Sequence, residues 1–231
     1  MPGSCIYIFP SSPIFNKEEI KVFPNFDVEH SSLLFSTLYL NHLDIIQPLM
    51  NDLKVVCCFD NKDKEHLPSK LHNDNIKLFF NDTSDKHTYF KTLNEKYLKK
   101  HQSNLLIFSN SISMCLSDIQ KVFNLLAIDD EVVVLGKSHT NKLCFIGFNN
   151  YNNVVSKKVN WNQLDYEETL NIVCKNNILV HVLEKYYTIN TVEDFKTLYN
   201  ELSKKESIVY CNDDKHEHFT HLFIEYKGLL K

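Results

Sequence analysis

The chain has 231 residues, 43% hydrophobic and 12% aromatic, with a formal net charge of −4, which is enough material for one large domain with a real core. The acidic balance removes any whole-surface electrostatic case for nucleic acid or anionic membranes. All 25 basic residues are lysine, so no guanidinium fork is available for bidentate phosphate contacts.

Seven cysteines, an odd number, sit mostly inside apolar runs such as Val55–Phe59 and Leu143–Phe148. That pattern predicts buried thiols in a reducing compartment, not a disulfide framework, and with no C-x-x-C pair a thiolate zinc site is not expected. No run approaches the roughly 20 apolar residues of a spanning helix, and the N-terminus lacks a basic segment followed by a long apolar one. A cytoplasmic protein without membrane partners is expected.

In chain order, Cys5–Phe9, stopped by Pro10, reads as a first central strand. The long polar loop after it, with Pro13 and Pro24, predicts a functional or lid segment. Ser31 is expected to cap a helix through Leu33–Leu49, with Pro48 marking its end or a kink near it. Leu53–Phe59 and Ile76–Phe80 read as strands. Thr83 or Ser84 is expected to cap the next helix, whose inward stripe is Tyr89, Phe90, Leu93, Tyr97 and Leu98.

Leu105–Phe108 is a further buried strand, and it delivers the chain to the turn Ser109-Asn110-Ser111. In an open α/β sheet such a strand end opens on the binding crevice, although short polar side chains there can equally serve their own backbone. Ser117 with Gln120 predicts a capping box for the helix Asp118–Ala127. Glu131–Leu135 and Lys142–Phe148 read as two adjacent strands. Asp165 with Glu168 predicts a cap for the helix Tyr166–Asn177, followed by a strand at Ile178–Leu183. Thr191 with Asp194 predicts the start of the helix Val192–Lys205, with lysines in its last turn where the helix dipole favours them.

Ser207–Cys211 and Phe219–Tyr226 read as a two-stranded appendage. The expected organisation is therefore an α/β domain over residues 1–205 and a short C-terminal β extension over 206–231 packed on the same domain. Alternating strands and helices with nearly continuous apolar strands predict a three-layer α/β/α sandwich on a mostly parallel sheet, with an antiparallel insertion from the 131–135 and 142–148 pair. Only four glycines are present and none forms G-x-G-x-x-G after a strand, so a dinucleotide-type Rossmann site and a P-loop are excluded.

From Asn104 to Leu198 the chain resembles the glycosyltransferase-A fold, most closely a small bacterial family of sugar-nucleotide-transferase-like proteins. Four landmarks occur in the family's order and spacing: Leu106–Met114, His139–Phe148, Val159–Leu170 and Tyr187–Leu198. In the family these carry Gly-Ser-Asp-Ser-Pro, Gly-Gly-Tyr-Tyr-Leu-Ile-Gly, Trp-Ser-Thr and Asp-Val-Asp-Thr-Pro-Glu-Asp-Leu. The resemblance implies the nucleotide-diphosphosugar transferase type of sheet and a carboxylate-held divalent cation that would stabilise a diphosphate leaving group.

At those acidic positions the sequence differs. The strand-end Asp falls on Asn110, and the two acids of the later segment fall on Thr188 and Asn190. The Gly-Gly-Tyr-Tyr positions fall on Asn141, Lys142, Leu143 and Cys144. Neutral Asn and Thr donors hold a hard cation poorly, so no metal and no other cofactor is expected. Asp27, Glu29 and Asp82 are the acids whose loops could approach the strand ends in their place.

The leading expectation is a transferase-like protein that binds a nucleotide or nucleotide-sugar, its metal-dependent catalysis lost or altered. The candidate binding residues are Ser11, Ser12, Lys17, Ser109, Asn110, Ser111, Asn141, Lys142 and Asn190. One alternative is an active metal-independent glycosyl- or nucleotidyl-transferase that uses lysines, with Lys137 and Lys142 as point charges. Another is an interaction module on a vestigial transferase fold, whose aromatic surface would bind a partner or form a homodimer by strand-edge pairing.

Four other features carry weaker signals. His216, His218 and His221 have H-x-H spacing that puts two imidazoles on one strand face, as a zinc site could use, though an exposed turn explains them as well. Cys57 and Cys58 should face opposite sides of their strand. Cys144, where the family has an aromatic, should be core. Trp161 could stack on a base or sugar, or staple the entry of a helix.

Overall fold

A computed structural model describes residues 3–10, 13–82, 85–149, 153–161 and 163–231. Among these described residues, eight strands and seven α-helices follow in the order β1 Ser4–Phe9, α1 Val28–Ile46, β2 Lys54–Asp60, β3 Ile76–Asn81, α2 Lys86–Lys96, β4 Ser103–Phe108, β5 Ser111–Ile112, α3 Leu116–Leu126, β6 Val132–Ser138, β7 Leu143–Asn149, α4 Asn153–Lys158, α5 Tyr166–Lys175, β8 Leu179–Thr188, α6 Val192–Leu202 and α7 Asp213–Glu225.

The sheet order is β3-β2-β1-β4-β7-β6-β8-β5. β3, β2, β1 and β4 are mutually parallel, β7 is antiparallel to both β4 and β6, β8 is parallel to β6, and β5 is antiparallel to β8. Six strands therefore run one way, and β7 and β5 run against them. The central strands are apolar on both sides because helices cover both faces. Ile6, Ile8, Cys57, Leu105 and Ile107 pack with α1, α3, α6 and α7 on one face. Cys5, Tyr7, Cys58, Leu106 and Phe108 pack with α2, α4 and α5 on the other.

Cys57 and Cys58 thus face opposite ways, as period-two alternation requires, and burial pushes the Cys57 thiol up to about 12. All seven cysteines are free thiols. Cys144 is core.

The expected caps of α5 and α6 are present. Asp165 accepts from the Glu168 N–H, and Thr191 and Asp194 form a reciprocal capping box. Three other helix ends differ. α1 begins earlier, on Asp27, whose carboxylate accepts from the His30 N–H at 2.7 Å; Ser31 instead accepts from Phe23 N–H and donates to Asp27 O. At α3, Asp118 accepts from the Cys115 N–H at 3.0 Å, in place of the Ser117–Gln120 box. α6 ends at Leu202, so Lys204 and Lys205 lie beyond its last turn. The predicted caps Thr83 and Ser84 lie outside the described residues.

The segment between β1 and α1 is no free lid. Over residues 13–27 it buries Ile14, Ile20, Phe23 and Phe26 in the core, and it is clamped by Asp63, just past β2. The fully buried Asp63 carboxylate accepts from the backbone N–H groups of Ile14, Phe15 and Asn16 at 2.8–3.1 Å. Three consecutive amides converging on one anion form a nest whose occupant is built in. Burial raises the Asp63 carboxyl against the opposing pull of those amides.

The C-terminal β appendage is not formed. Lys205–Val209 is a 3-10 turn and Phe219–Tyr226 falls in and just after α7. Phe219, Leu222 and Phe223 recur at three- and four-residue spacing, and that apolar stripe joins the core beside α1. Lys215 and Asn212 hold Asp44 of α1 at 3.1 Å each, and Tyr226 stacks on Phe26 at 3.8 Å.

Candidate functional site

The site is shaped by a distortion in β6 and β8. Gly136 of β6 lies opposite Phe145 of β7, and a Cβ on Gly136 would come within 2.2 Å of that ring; only glycine fits. Just past it the register of β6 and β8 shifts, so Glu184 and Lys185 oppose Lys137 alone. Lys185 takes up this bulge at φ 88°. A bulge bends and twists its strand, and the bent end of β8 reaches β5, where Thr188 pairs with Ser111.

This brings together the chain ends of β4 and β8. Ile189 N–H donates to Asn110 O at 2.7 Å, and the Asn110 side-chain amide donates to Asn190 Oδ1 at 2.8 Å. The β6–β7 turn joins them: the hydroxyls of Ser138 and Thr140 are 3.1 Å apart, and those of Thr140 and Thr188 are 2.8 Å apart. His139 lies in the same turn, its Nε2 3.4 Å from Asp194 Oδ1. The other Asp194 oxygen accepts from the N–H groups of Asn190 and Thr191 at 3.0 and 2.9 Å. His139 also lies 5.0 Å, ring to ring, from Tyr187.

Of the residues singled out in the sequence, Asn110 and Asn190 meet at this point and both reach the surface. Ser109 and Ser111 are buried. The Ser111 hydroxyl donates to Phe108 O at 2.7 Å, and Ser111 O accepts from His42 Nε2–H at 2.9 Å, so Ser111 serves its own backbone turn. Burial lowers His42 to about 4, which keeps that donor neutral. Asn141 adopts φ 62°, a left-handed conformation that asparagine tolerates where the resembling family has glycine. Its carbonyl accepts from Tyr166 N–H at 3.1 Å, and Lys142 pairs with Asp165 at 3.4 Å. Both therefore bind the start of α5. Lys137 pairs with Glu184 at 3.7 Å and lies over the Tyr166 ring. Lys17 pairs with Glu29. Ser11 and Ser12 lie outside the described residues.

Trp161 is buried and stacked on Phe90 at 3.9 Å, so its ring is core and unavailable to a base or sugar. The histidines of α7 diverge. His216 Nε2 lies 2.9 Å from Leu202 O, His218 Nδ1 3.4 Å from Thr37 Oγ1, and the His221 ring 5.7 Å from that of His30. The two-imidazole strand face does not arise because the segment is helical.

Neutral amide and hydroxyl groups at Asn110, Thr188 and Asn190 do not fit a divalent cation: the Asn190 oxygen already accepts a hydrogen bond, and hard cations select carboxylate oxygens. Among the described residues no group of three or more His, Cys, Asp or Glu is placed to hold a metal ion. No helix among them is long and apolar enough to cross a membrane.

No family model matches the sequence, and no curated protein matches it. Solved structures do. A Desulfovibrio desulfuricans G20 protein assigned to the nucleotide-diphospho-sugar transferases superposes with a TM-score of 0.74 at 16% identity, covering 100% of this chain and 97% of that one. The fold is that of the nucleotide-diphospho-sugar transferases. 4-Diphosphocytidyl-2C-methyl-D-erythritol synthase from Anaerococcus prevotii DSM 20548 follows the same sheet, with a TM-score of 0.55 at 12% identity over 87% of this chain and 98% of its own. A manganese complex of a Mycobacterium tuberculosis H37Rv protein gives a TM-score of 0.52 at 7% identity over 85% and 97%.

Within this transferase-type fold, His139, Thr140 and Tyr187 join the site without a signal of residue type or period in the sequence, and Asp194 reads there only as a helix cap. The available signal was positional. Ser138–Thr140 sits at a β6–β7 turn beside a strand end, and a histidine in such a turn is worth testing against every nearby carboxylate.

Proposed function

We propose that the protein binds a nucleotide or nucleotide-sugar at the strand-end crevice around Asn110, Thr140, Thr188 and Asn190, and that metal-dependent transfer there has been lost or altered. One observation carries this reading. Two of the three positions where the resembling family has acids meet at 2.8 Å as a neutral amide pair. The transferase-type fold supports the crevice as the ligand side, since ligands in open α/β sheets bind beyond the carboxyl ends of the strands. The amide pair offers hydrogen bonds to a ribose, a base edge or a phosphate, but little charge to hold a cation.

A panel of nucleoside mono-, di- and triphosphates and diphosphosugars, scanned by thermal unfolding with and without Mn²⁺, tests the reading. A ligand that binds the native state raises Tm by mass action. At least one compound is expected to do so in EDTA, with no added shift on Mn²⁺. A panel with no shift in either condition overturns ligand binding at this site, and binding that needs Mn²⁺ overturns the metal-free reading.

A further inference from the structure

The neutral amide pair leaves unanswered which group of this chain faces the negative charge of a diphosphate. The lysines near the crevice are engaged elsewhere: Lys142 with Asp165, Lys137 with Glu184 and Tyr166. His139 is different. It stands on the β6–β7 turn, one residue from Thr140, whose hydroxyl meets Thr188 of the site.

Its geometry is built rather than incidental. Asp194 is buried, with a side chain 6% exposed, whereas the His139 side chain is 34% exposed. The carboxylate is fixed by the two amides at the start of α6, which hold Oδ2, while Oδ1 is directed at His139 Nε2. The backbone N–H of His139 donates to Tyr186 O at 3.1 Å, and the Tyr187 ring lies against the imidazole. A carboxylate behind one ring nitrogen fixes the orientation of an imidazole. The same Asp194 that tethers Asn190 therefore holds a protonatable ring beside the amide pair.

We propose that His139, oriented by Asp194, is the cationic contact of the crevice and binds a phosphoryl oxygen of a diphosphate-bearing ligand, so that affinity rises as pH falls. This inference rests on the nucleotide-binding reading above. It replaces a fixed divalent charge with one that titrates, and histidine is the side chain whose charge ordinarily changes between pH 5 and 8.

The groups that face His139 allow this. Asp194 comes from α6. From β8 comes Tyr187, whose phenol is raised by burial and by its hydrogen bond to Glu201 and so stays neutral through this range. Glu201 is itself paired with Lys204 at 2.5 Å. Lys137, on the strand leading into the turn, is paired with Glu184.

The test is the binding of diphosphate diesters, UDP-glucose, GDP-mannose and ADP-glucose, to the full chain in EDTA at pH 6.0 and 8.0. These compounds carry the same charge at both values, so a pH dependence belongs to the protein. The compound that binds is expected to do so about tenfold more tightly at pH 6.0, the scale of one charge-assisted hydrogen bond. H139Q is expected to bind with the weaker affinity at both pH values, and H139K to bind tightly at both. The imidazole Cε1–H resonance of His139, followed by NMR in the wild-type chain, is expected to titrate at higher pH with ligand present.

Binding that is equal at the two pH values in the wild type, or equally pH-dependent in H139Q, overturns the role of His139 and leaves the ligand-binding reading standing. No binding by any compound at either pH overturns this inference, and together with no shift across the wider nucleotide panel above it overturns that reading itself. The NMR titration separates the two without relying on a variant's folding: an unshifted His139 in a chain that does bind ligand counts against this inference alone.

Discussion

Two groups of loops leave the sheet at the carboxyl ends of its parallel strands, and they treat charge in opposite ways. After β1 and β2, a fully buried carboxylate, Asp63, gathers the amides of Ile14, Phe15 and Asn16. The chain carries its own anion there, and a long loop is held shut by it. After β4 and β8, neutral side chains meet at the surface through the Asn110–Asn190 amide bond. Asp194, which accepts from the Asn190 N–H, is turned back to brace a backbone and an imidazole. Charge is kept where it serves the architecture and withdrawn where a metal ion would need it.

The largest expected effect lies in the first group. Asp63→Ala leaves three backbone donors without their acceptor in a segment that buries Ile14, Phe23 and Phe26. Orphaning buried donors of a charged acceptor should cost roughly 3–4 kcal/mol of unfolding free energy in urea titrations. Asn110→Ala, which removes an exposed amide contact, should cost no more than about 0.5 kcal/mol. Equal losses in the two variants would abolish the contrast.

A second effect, nearly as large, separates the groups by pH. His42 lies beneath the second one, giving its Nε2–H to Ser111 O, and burial lowers it to about 4 from the ordinary histidine value of 6.5. Between those values the unfolded chain takes up a proton that the native imidazole refuses. The native state is therefore favoured fully above pH 6.5 and loses stability as pH falls toward 4, by roughly 3 kcal/mol in all. Gln in place of His42 keeps a donor but cannot titrate. Denaturation midpoints of H42Q should then fall less steeply than wild type between pH 7 and 4, and parallel curves would remove His42 from the account.

This division also explains what was legible in the sequence. Strands such as Val55–Phe59 announce themselves through continuous apolar runs, and the caps Asp165 and Thr191–Asp194 through residue type and spacing. The meeting of Asn110 and Asn190 was foreseeable only through the order of the landmarks in the resembling family. The Asp63 clamp was not: its partners are backbone amides up to 49 residues away, and an amide has no residue-type signature. Ser207–Cys211 and Phe219–Tyr226 misled because short apolar runs satisfy strand and helix patterns alike, and burial of Phe219, Leu222 and Phe223 against α1 decided for the helix. His139 was overlooked because a turn has no period to read.

Restoring acids should sharpen the comparison from the other side. Asn110→Asp with Asn190→Asp places two carboxylates where the amides now meet, the oxygen chemistry a divalent cation selects. Mn²⁺ at about ten times its Kd should then stabilise the double variant by about 1.4 kcal/mol while leaving the wild type unmoved. Without Mn²⁺ the two carboxylates repel, and the variant should unfold at lower temperature than wild type. If Mn²⁺ stabilises both proteins alike, the amide pair is not what sets the metal response.

The smallest expected effect concerns the bulge that brings the second group together. Lys185 holds φ 88°, where a side chain costs about 1–2 kcal/mol. Lys185→Gly removes that strain but adds up to about 1 kcal/mol of backbone entropy to the unfolded state. The net gain should be about 0.5 kcal/mol, a rise in Tm of about 1–2 °C for a chain of this size. The register on either side is set by other contacts, namely the Gly136–Phe145 approach and the Ser111–Thr188 pairing. The glycine variant should therefore keep the wild-type ligand-induced Tm shift. A stabilised variant that loses this shift would mean that the strain at Lys185 itself aligns Thr188 and Asn190 with Asn110. A destabilised one would mean that the lysine side chain anchors the bulge through contacts worth more than the strain it bears.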